Sequence, residues 1–297
     1  MIGLIHTLGH ILNHPLNRSS RPAALNRYLR WQISSLLALG PTVVPLVNGT
    51  CLIVGRGMTG ATGNIYSGLH EFSDCAFLLH LLRPSDLFID VGANIGVYTV
   101  LASGAVGGRT LSIEPIPLTY GRLAANIRIN DIADRVTSYN IGLGRIDGVL
   151  RFTSDLDTCN HVVTDSSLGS NIIDVPVRRL DEVLGGKVPT LIKIDVEGWE
   201  SEVLAGSSAT LEQLSLLGLI VEMNGKAKHL SPNEQGVHDC LTDHGFQPYA
   251  YEPFTRRLLP LESKNPNAGN TIYLRNIEAV NERVMAASPF HVNGREV

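Results

Sequence analysis

The sequence predicts an α/β protein in which helices cover both faces of a mostly parallel sheet, and three observations support this. From residue 86 onward, short apolar runs alternate with helical segments, a pattern typical of parallel sheets. Acidic or polar residues end several of these runs, as expected where ligands bind at the carboxyl ends of strands. The 297 residues also fit one large domain with an N-terminal extension better than two equal domains.

Hydrophobic periodicity and stop signals place the individual elements. Strands are predicted at 87–91, 110–114, 136–141, 190–196, 217–223, 245–251 and 271–275, and helices at 22–39, 70–82, 95–103, 118–130, 199–205 and 231–244. Asn48-Gly49 predicts a hairpin, Gly55–Gly63 a flexible loop, 148–177 a β-rich excursion and 254–270 an exposed loop. We therefore expect a helical and hairpin extension with a lid (1–83), a main domain (84–280) and a C-terminal tail (281–297).

Composition narrows the function classes. With 24 basic against 28 acidic residues and no Lys/Arg cluster, the chain is not expected to bind nucleic acid. Four scattered cysteines without a CxxC pair favour reduced thiols and a cytoplasmic location. Residues 1–16 lack the basic start of a signal peptide, and no transmembrane segment is expected. A packing segment is the favoured interpretation of 1–16, and weak contact with a membrane surface is the alternative.

The turn Asp90–Gly96 follows an apolar strand and precedes a helix, as in pockets for nucleoside-type cofactors. Gly92 and Gly96 flank Asn94, so the later glycines of the dinucleotide fingerprint are not in place. The acidic residue Asp90 would also repel a phosphate. An acidic strand end favours a cationic ligand without phosphate, such as S-adenosylmethionine.

Two further strand ends supply candidate cofactor contacts. Glu114-Pro115 ends the next strand, where a carboxylate can accept hydrogen bonds from both ribose hydroxyls of NAD or S-adenosylmethionine. Asn140 ends the third strand. It is expected either to contact adenine or to serve as a turn residue before Gly142, and the sequence does not separate the two.

The segment Lys193–Glu200 is the most specific motif of the chain, because a strand delivers Asp195 to the sheet edge and Gly198 permits a tight turn before a helix. Residues Phe88–Thr99 match F-I-D-V-G-A-N-x-G-x-Y-T, and Lys193–Glu200 match K-I-D-V-E-G-x-E. The chain thereby resembles the FkbM family of S-adenosylmethionine-dependent methyltransferases. The resemblance spans roughly residues 65–275, and Trp199 stands where a smaller residue is common.

The resemblance implies a Rossmann-like class I methyltransferase fold with seven strands, the last antiparallel. It also implies S-adenosylmethionine as cofactor and methyl transfer to a hydroxyl of a sugar, glycan or small natural product. The acceptor pocket is expected from the N-terminal segment 1–80 and the insertion 153–171, since loops on such folds carry specificity.

An alcohol is a poor nucleophile, so a general base or a metal must help to remove its proton. The candidates are Asp195, Glu197, Glu222, Glu71, His70 and His229. We favour Asp195 as base or substrate-orienting acid, supported by Glu222, with His70 as a further catalytic candidate. Lys193 is either the ion-pair partner of Asp195 or a structural lysine. Two facing carboxylates also suit Mg²⁺, but nothing in the spacing requires a metal.

Glu71 follows the glycine-rich segment 55–68, which is suited to close over a cofactor. Glu71 is assigned to cofactor binding, and complementation of a helix dipole is an equal alternative. Two other functions stay open for the whole chain. One is an NAD(P)-dependent oxidoreductase, although no Tyr-x-x-x-Lys pattern accompanies the turn; the other is a non-catalytic binding protein on a methyltransferase fold. Acceptor identity and oligomeric state are not predicted.

Overall fold

The fold was analysed in a computed structural model that describes residues 2–38, 40–156, 160–163, 171–223 and 234–297. Helices α1 to α11 are Ile2–Asn13, Arg21–Leu37, Thr59–Ser67, Phe72–Leu81, Val97–Val100, Pro117–Ile129, Leu180–Leu184, Glu200–Ala205, Ser208–Leu211, Glu234–Asp243 and Ile277–Met285. A π-helical turn, Leu101–Val106, continues α5. Strands β1 to β15 are Thr42–Pro45, Cys51–Val54, Leu87–Val91, Arg109–Ile113, Val136–Tyr139, Gly142–Leu143, Gly148–Thr153, Ile172–Arg178, Leu191–Ile194, Gly218–Glu222, Gln247–Glu252, Arg257–Pro260, Asn270–Leu274, His291–Val292 and Arg295–Glu296.

The central sheet has the strand order β12-β11-β13-β10-β9-β3-β4-β5. Strands β5, β4, β3, β9 and β10 are mutually parallel, and β13 runs antiparallel to β10. The strand order reverses between β3 and β9, which is the position where open α/β sheets bind ligands. The prediction of a mostly parallel sheet is therefore confirmed, and the switch point defines where a site is expected.

The described part of the sheet has eight strands rather than the predicted seven. The extra strand, β12, lies in the segment expected to be an exposed loop and forms a hairpin with β11. Arg256, at the turn of this hairpin, has a positive φ of 55°. Its guanidinium donates to the carbonyl oxygens of Val284 and Ala287 at the end of α11. The hairpin is thus fastened by a contact distant in sequence, which local patterns do not reveal.

Helices cover both faces of the sheet. Phe88 and Ile89 are neighbours on β3, yet they belong to different hydrophobic clusters because successive strand side chains point to opposite faces. The Phe88 cluster includes Phe77 of α4, and the Ile89 cluster includes Val203 of α8. This two-sided burial explains why the central strands are almost continuously apolar.

A second, three-stranded sheet has the order β6-β8-β7 and confirms the predicted β-rich excursion. Its inner residues Phe152, Val175 and Val177 pack with Ile116, which follows β4, and with Trp199. The excursion is therefore anchored directly beside the carboxyl edge of the main sheet.

The N-terminal hairpin β1–β2 is also confirmed. Its turn residues Asn48 and Gly49 have φ values of 47° and 86°, as a type I′ turn requires. A β-bridge joins Val47 to Val292 of the C-terminal hairpin β14–β15. Helix α11 crosses the expected boundary at 280/281, and Val280 and Val292 are fully buried in the cluster that contains Phe88. The division into extension, domain and tail therefore stays a proposal about chain organisation.

The glycine-rich segment 55–63 was wrongly predicted to be an entirely flexible loop, because α3 begins at Thr59. A Cβ on Gly63 would lie 2.6 Å from the His70 ring, so the glycine permits a close approach. Ala61 of α3 is buried, and α3 lies against α2. Tertiary packing of this kind overrides the low helix propensity of glycine.

Candidate active site

A cavity of about 230 Å³ opens at the carboxyl ends of β3, β4 and β9. The predicted residues that line it are His70, Glu71, Asp90, Gly92, Asn94, Glu114, Pro115, Asp195 and Glu197. Gly96, Asn140 and Glu222 are not among the lining residues, and His229 lies outside the described residues. Most of the site residues proposed from the sequence are therefore brought together at one place.

Gly92 allows two strand ends to meet. Its φ is +74°, and a Cβ at this position would lie 1.8 Å from the carbonyl oxygen of Asp195. Gly96 also has a positive φ, and its Cβ would lie 2.4 Å from Leu123 of α6. Gly92 therefore permits contact between the β3 turn and the β9 end, whereas Gly96 permits packing of the following helix.

The backbone N–H groups of the turn are already used within the protein. Those of Gly92 and Ala93 donate to the carbonyl oxygen of Ile113, and that of Gly96 donates to Ala93. The N–H of Asn94 donates to Glu114 Oε2 at 2.9 Å, and that of Ile95 donates to the Asn94 side chain. A pyrophosphate needs N–H groups that point at the ligand, so this turn is poorly suited to a dinucleotide.

Glu114 is the buried carboxylate at the end of β4, 5% exposed. Its two oxygens accept from the N–H groups of Asn94 and Ile116 at 2.9 and 3.0 Å. Burial raises the pKa of Glu114 to about 7, although these two hydrogen bonds oppose the rise. Each carboxylate oxygen can accept a further hydrogen bond, so Glu114 can take both hydroxyls of a ribose.

Asp90 is buried beneath the turn and is held by a hydrogen bond. Thr99 Oγ1 donates to Asp90 Oδ2 at 2.7 Å and lies the same distance from Ser112 Oγ. Burial raises the pKa of Asp90, and the nearby Lys193 ammonium opposes that rise. The threonine of the predicted motif thus fixes the acid at the strand end.

Asn140 supports Glu114 from the end of β5. Its amide nitrogen donates to the carbonyl oxygens of Glu114 and Pro115 at 2.8 and 2.9 Å. These contacts hold the backbone that carries the buried carboxylate. They favour the turn-positioning alternative for Asn140 over the adenine contact, which stays a prediction.

On the other side of the switch point, buried Lys193 and half-buried Asp195 form an ion pair with an Nζ–Oδ2 distance of 2.6 Å. Burial alone would lower the pKa of Lys193, but the carboxylates of Asp195, Glu71 and Asp90 keep it above its ordinary value. Burial alone would raise the pKa of Asp195, but Lys193 and a hydrogen bond from Glu222 lower it. Asp195 is therefore ionised and oriented at neutral pH.

Glu222, at the end of β10, holds a proton. Burial and the negative charges of Asp195 and Glu197 raise its pKa to about 10. Glu222 then donates to Asp195, so these two carboxyl groups share one proton. The ligand atoms of Asp195, Glu197 and Glu222 lie within 4.8 Å of one another. That spacing is compatible with a Mg²⁺ site and with a pair of carboxyl groups that share a proton.

The side chain of Glu71 lines the cavity. Glu71 precedes α4, but its side chain does not cap that helix. Glu71 Oε2 accepts from the Tyr98 hydroxyl and Oε1 from the Asn270 amide, both at 2.9 Å. The same amide donates to buried Asp74, whose pKa burial and Glu71 raise to about 7. The helix-dipole interpretation of Glu71 is therefore weaker than its place in the cavity wall.

Tyr98 and Asn270 were missed as site residues by reasoning from the sequence. Tyr98 lines the cavity, and the centroid of its ring lies 4.8 Å from Lys193 Nζ. Its place in the Phe88–Thr99 motif was a usable signal. Asn270 begins the antiparallel strand β13, opposite Glu222. An antiparallel strand brings its first residue, rather than its last, to the edge where the parallel strands end.

The wall toward the N-terminus is formed by α3 and by His70, whose backbone N–H donates to Asn64. The His70 ring packs edge-on against His10 of α1, with ring centroids 5.3 Å apart. Phe152 of β7, Asn160 of the connection between β7 and β8, and Trp199 complete the opposite wall. Residues 164–170 of the expected acceptor region lie outside the described residues.

Comparison with known proteins identifies the family of this chain. A sequence profile for the methyltransferase FkbM domain matches residues 90–248, more than half of the chain. The chain belongs to this family. Its strand order, with one antiparallel strand beside β10, together with this membership gives the Rossmann-like class I methyltransferase fold that the sequence predicted.

Several curated methyltransferases are similar to the chain at 31% identity. They are Methyltransferase 1 of Beauveria bassiana (41% of this chain, 59% of the relative), hexuronic acid methyltransferase AglP of Haloferax volcanii (50% and 59%) and 31-O-demethyl-FK506 methyltransferase FkbM of Streptomyces tacrolimicus (46% and 65%). The chain thus matches about three fifths of the length of these proteins. The crystal structure of an FkbM methyltransferase from Methylobacillus flagellatus has a TM-score of 0.41 at 17% identity, covering 65% of this chain and 44% of that one.

Proposed function

We propose that this FkbM-family chain is an S-adenosylmethionine-dependent methyltransferase that methylates a hydroxyl oxygen. The proposal rests on a contrast within one cavity. The N–H groups of the turn Asp90–Gly96 already donate to oxygens of the protein, whereas the carboxylate of Glu114 can still accept hydrogen bonds from a ribose. The cavity also has a surplus of acidic groups over Lys193. This combination suits a nucleoside that carries positive charge instead of phosphate.

The residues present fit that cofactor. Glu114 would hold the ribose hydroxyls, and Ile116, Pro115 and Ile141 supply apolar walls for adenine. Asp90, Glu71 and Asp195 surround the remainder of the cavity with negative charge. When bound, S-adenosylmethionine supplies a methyl group activated by a positively charged sulfur. The protein then contributes positioning, which can provide on the order of 7–11 kcal/mol of the barrier.

Asp195 is the residue we assign to the acceptor. As an ionised carboxylate held by Lys193, it can accept a hydrogen bond from the acceptor hydroxyl and orient its oxygen. The hydroxyl becomes strongly acidic once its oxygen bonds to the methyl carbon, so a carboxylate of low pKa suffices to receive the proton. Glu222, which is protonated, stabilises the charge of Asp195 before this step. His70 lines the same cavity and stays a further catalytic candidate.

A sugar, glycan or small natural product is the acceptor class we propose. The names of two relatives, a hexuronic acid methyltransferase and a 31-O-demethyl-FK506 methyltransferase, support it. On this chain, Phe152 and Trp199 offer apolar contact and Asn160 a polar contact at the cavity wall. Such a mixture suits a molecule that carries hydroxyls on an apolar frame.

A paired ligand and variant experiment tests the proposal. We expect S-adenosylmethionine and S-adenosylhomocysteine, but not NAD, to raise the melting temperature. Asp195→Asn keeps the shape of the side chain and removes its charge. With a hydroxylated acceptor, it should lower kcat by about 10²–10⁴-fold, while calorimetry shows that S-adenosylhomocysteine still binds.

Asp174→Asn is the matched control, because Asp174 is an exposed acid on β8, and it should behave as wild type. Stabilisation by NAD alone would replace the proposal with the oxidoreductase alternative. Cofactor binding without turnover on sugar, glycan and natural-product acceptor panels would favour a non-catalytic binding protein. Turnover unchanged in Asp195→Asn would remove that residue from the mechanism.

A further inference from the structure

Charge is distributed very unevenly along the chain. The first 70 residues contain five arginines and no aspartate or glutamate, whereas the whole chain carries a net charge of −4. The first acidic residue is Glu71, which lies in the cavity wall. The N-terminal region is therefore a positively charged unit attached to a negatively charged domain, which indicates an anionic partner for this region.

Helix α2 presents an apolar stripe to solvent. Its members recur at helical spacing along one face: Leu25, Leu29, Ile33, Leu36 and Leu37, with exposures of 37, 49, 60, 65 and 77%. Scattered exposed apolar residues are ordinary, but a contiguous stripe over the whole helix marks an interaction surface.

The opposite face of α2 fixes this orientation. Ala24 and Trp31 are buried. Arg27 donates to the carbonyl oxygen of Tyr66 and to the Asn17 side chain. The stripe therefore cannot turn inward without breaking these contacts, and its exposure is a property of the folded chain.

Exposed arginines flank the stripe. Arg21 and Arg30 of α2 lie beside it, and Arg56 follows β2. Leu36, Leu118 of α6 and Arg56 line one groove of about 700 Å³, and Leu118 is 64% exposed. Apolar side chains bordered by arginines form the pattern of helices that lie in the interface of an anionic bilayer.

We propose that the exposed face of α2, with Arg21, Arg30 and Arg56, docks on the surface of a negatively charged phospholipid bilayer. Within the described residues no helix is long and apolar enough to cross a bilayer, which fits contact with the surface. Two copies joined through this face would bring their arginines together, and nucleic acid offers little to an aliphatic stripe. Ile11 of α1 and Leu16, which follows that helix, are buried, whereas the apolar stripe of α2 is exposed.

Vesicle sedimentation of the full chain tests this docking. We expect binding to vesicles of phosphatidylcholine mixed with phosphatidylglycerol. Binding to phosphatidylcholine alone, or at high salt, should be about 10- to 100-fold weaker, since each arginine near the surface contributes. Leu29→Glu combined with Ile33→Glu should reduce binding at least about tenfold. Arg21→Gln combined with Arg30→Gln should remove most of the preference for the anionic lipid.

The matched control is Ile146→Glu combined with Leu214→Glu, which adds the same charge at residues that are 73 and 86% exposed elsewhere. It should bind vesicles as wild type does, and circular dichroism of all variants checks the fold. Equal loss in the control and in the α2 variant would overturn the proposal. Failure of the wild-type chain to bind vesicles would also overturn the proposal. This holds whether light scattering then shows a dimer that depends on α2 or the chain binds RNA instead.

Discussion

On the β3–β4 side of the cavity, the structure is held mainly by hydrogen bonds of backbone groups. On the β9–β10 side, it is held by interactions between charged side chains. The turn Asp90–Gly96 satisfies its N–H groups from neighbouring carbonyl and side-chain oxygens. Asp195 and Glu222 depend instead on Lys193 and on a shared proton. The first side is therefore held mainly by hydrogen bonds of the backbone, and the buried carboxylate of Glu114 accepts two of them. The second side is set by charge, and its state depends on pH and on the bound ligand.

This difference separates two tasks. A cofactor is best held by a preorganised backbone, because no reorganisation is then needed when it binds. Proton transfer needs groups whose protonation states respond to the reaction. One glycine joins the two sides, since Gly92 lies against the carbonyl oxygen of Asp195. Substitutions of single residues can therefore disrupt the contact at Gly92, the charged side or the backbone side separately.

Gly92→Ala should have the largest effect. Its Cβ would lie 1.8 Å from a backbone oxygen, and backbone cannot move aside as a flexible side chain can. We expect the unfolding free energy to fall by more than about 4 kcal/mol and S-adenosylhomocysteine binding to be lost, measured by denaturant titration and calorimetry.

Gly107→Ala provides the control for Gly92→Ala. Gly107 has a similar positive φ, 86°, but a Cβ there would meet no atom within 4 Å. The Gly107→Ala substitution should lower the unfolding free energy only by the strain of an alanine in the left-handed region, about 1–2 kcal/mol. Equal losses in the two variants would mean that strain, rather than the contact with Asp195, makes Gly92 necessary.

The two sides also differ in how far the sequence predicts them. The β3 turn follows from neighbouring residues: a strand, glycines and a helix start appear within about ten positions, so the turn and Glu114 were recognised. Asp195 was recognised because a specific motif surrounds it. The raised pKa of Glu222 was not, because it depends on acids from different strands that come together at a half-buried position. Electrostatics of that kind appears only when the strand order is known.

Long-range packing explains the other differences. Asn270 reaches Glu71 from 199 positions away, and β12 becomes a strand because Arg256 fastens its hairpin to α11. Helix α3 forms through a glycine-rich segment, and its Gly63 permits close contact with His70. In each case the local signal was weak or pointed elsewhere, and contact with a distant element decided the outcome.

Glu222→Gln tests the charged side with an intermediate effect. In the unfolded chain Glu222 loses its proton near its ordinary pKa of 4.5, whereas in the folded chain it keeps the proton up to a pKa of about 10. The unfolding free energy of the wild type should therefore fall as pH rises from 4.5 toward 10, by at most about 1.4 kcal/mol per pH unit. Glutamine does not titrate and preserves a donor to Asp195.

The variant should accordingly be as stable as wild type near pH 4.5 and increasingly more stable above it, as measured by denaturant titration at several pH values. Glu212→Gln, at an exposed acid, should leave the pH profile unchanged. A Glu222→Gln profile parallel to that of wild type would mean that Glu222 is ionised in the folded chain. The cluster with Asp195 and Glu197 would then have to be considered again as a cation site.

Asn140→Ala tests the backbone side with the smallest effect. It removes two hydrogen bonds to the carbonyl oxygens of Glu114 and Pro115, so we expect a loss of about 1–2 kcal/mol in stability. If Asn140 only positions this backbone, binding of S-adenosylhomocysteine and of its inosine analogue should weaken by the same factor, with kcat at saturation unchanged. An exposed asparagine changed in the same way, Asn267→Ala, should alter neither quantity. Loss of discrimination between the two nucleosides would instead assign Asn140 to the base, because only a residue that contacts the exocyclic group can tell adenine from hypoxanthine.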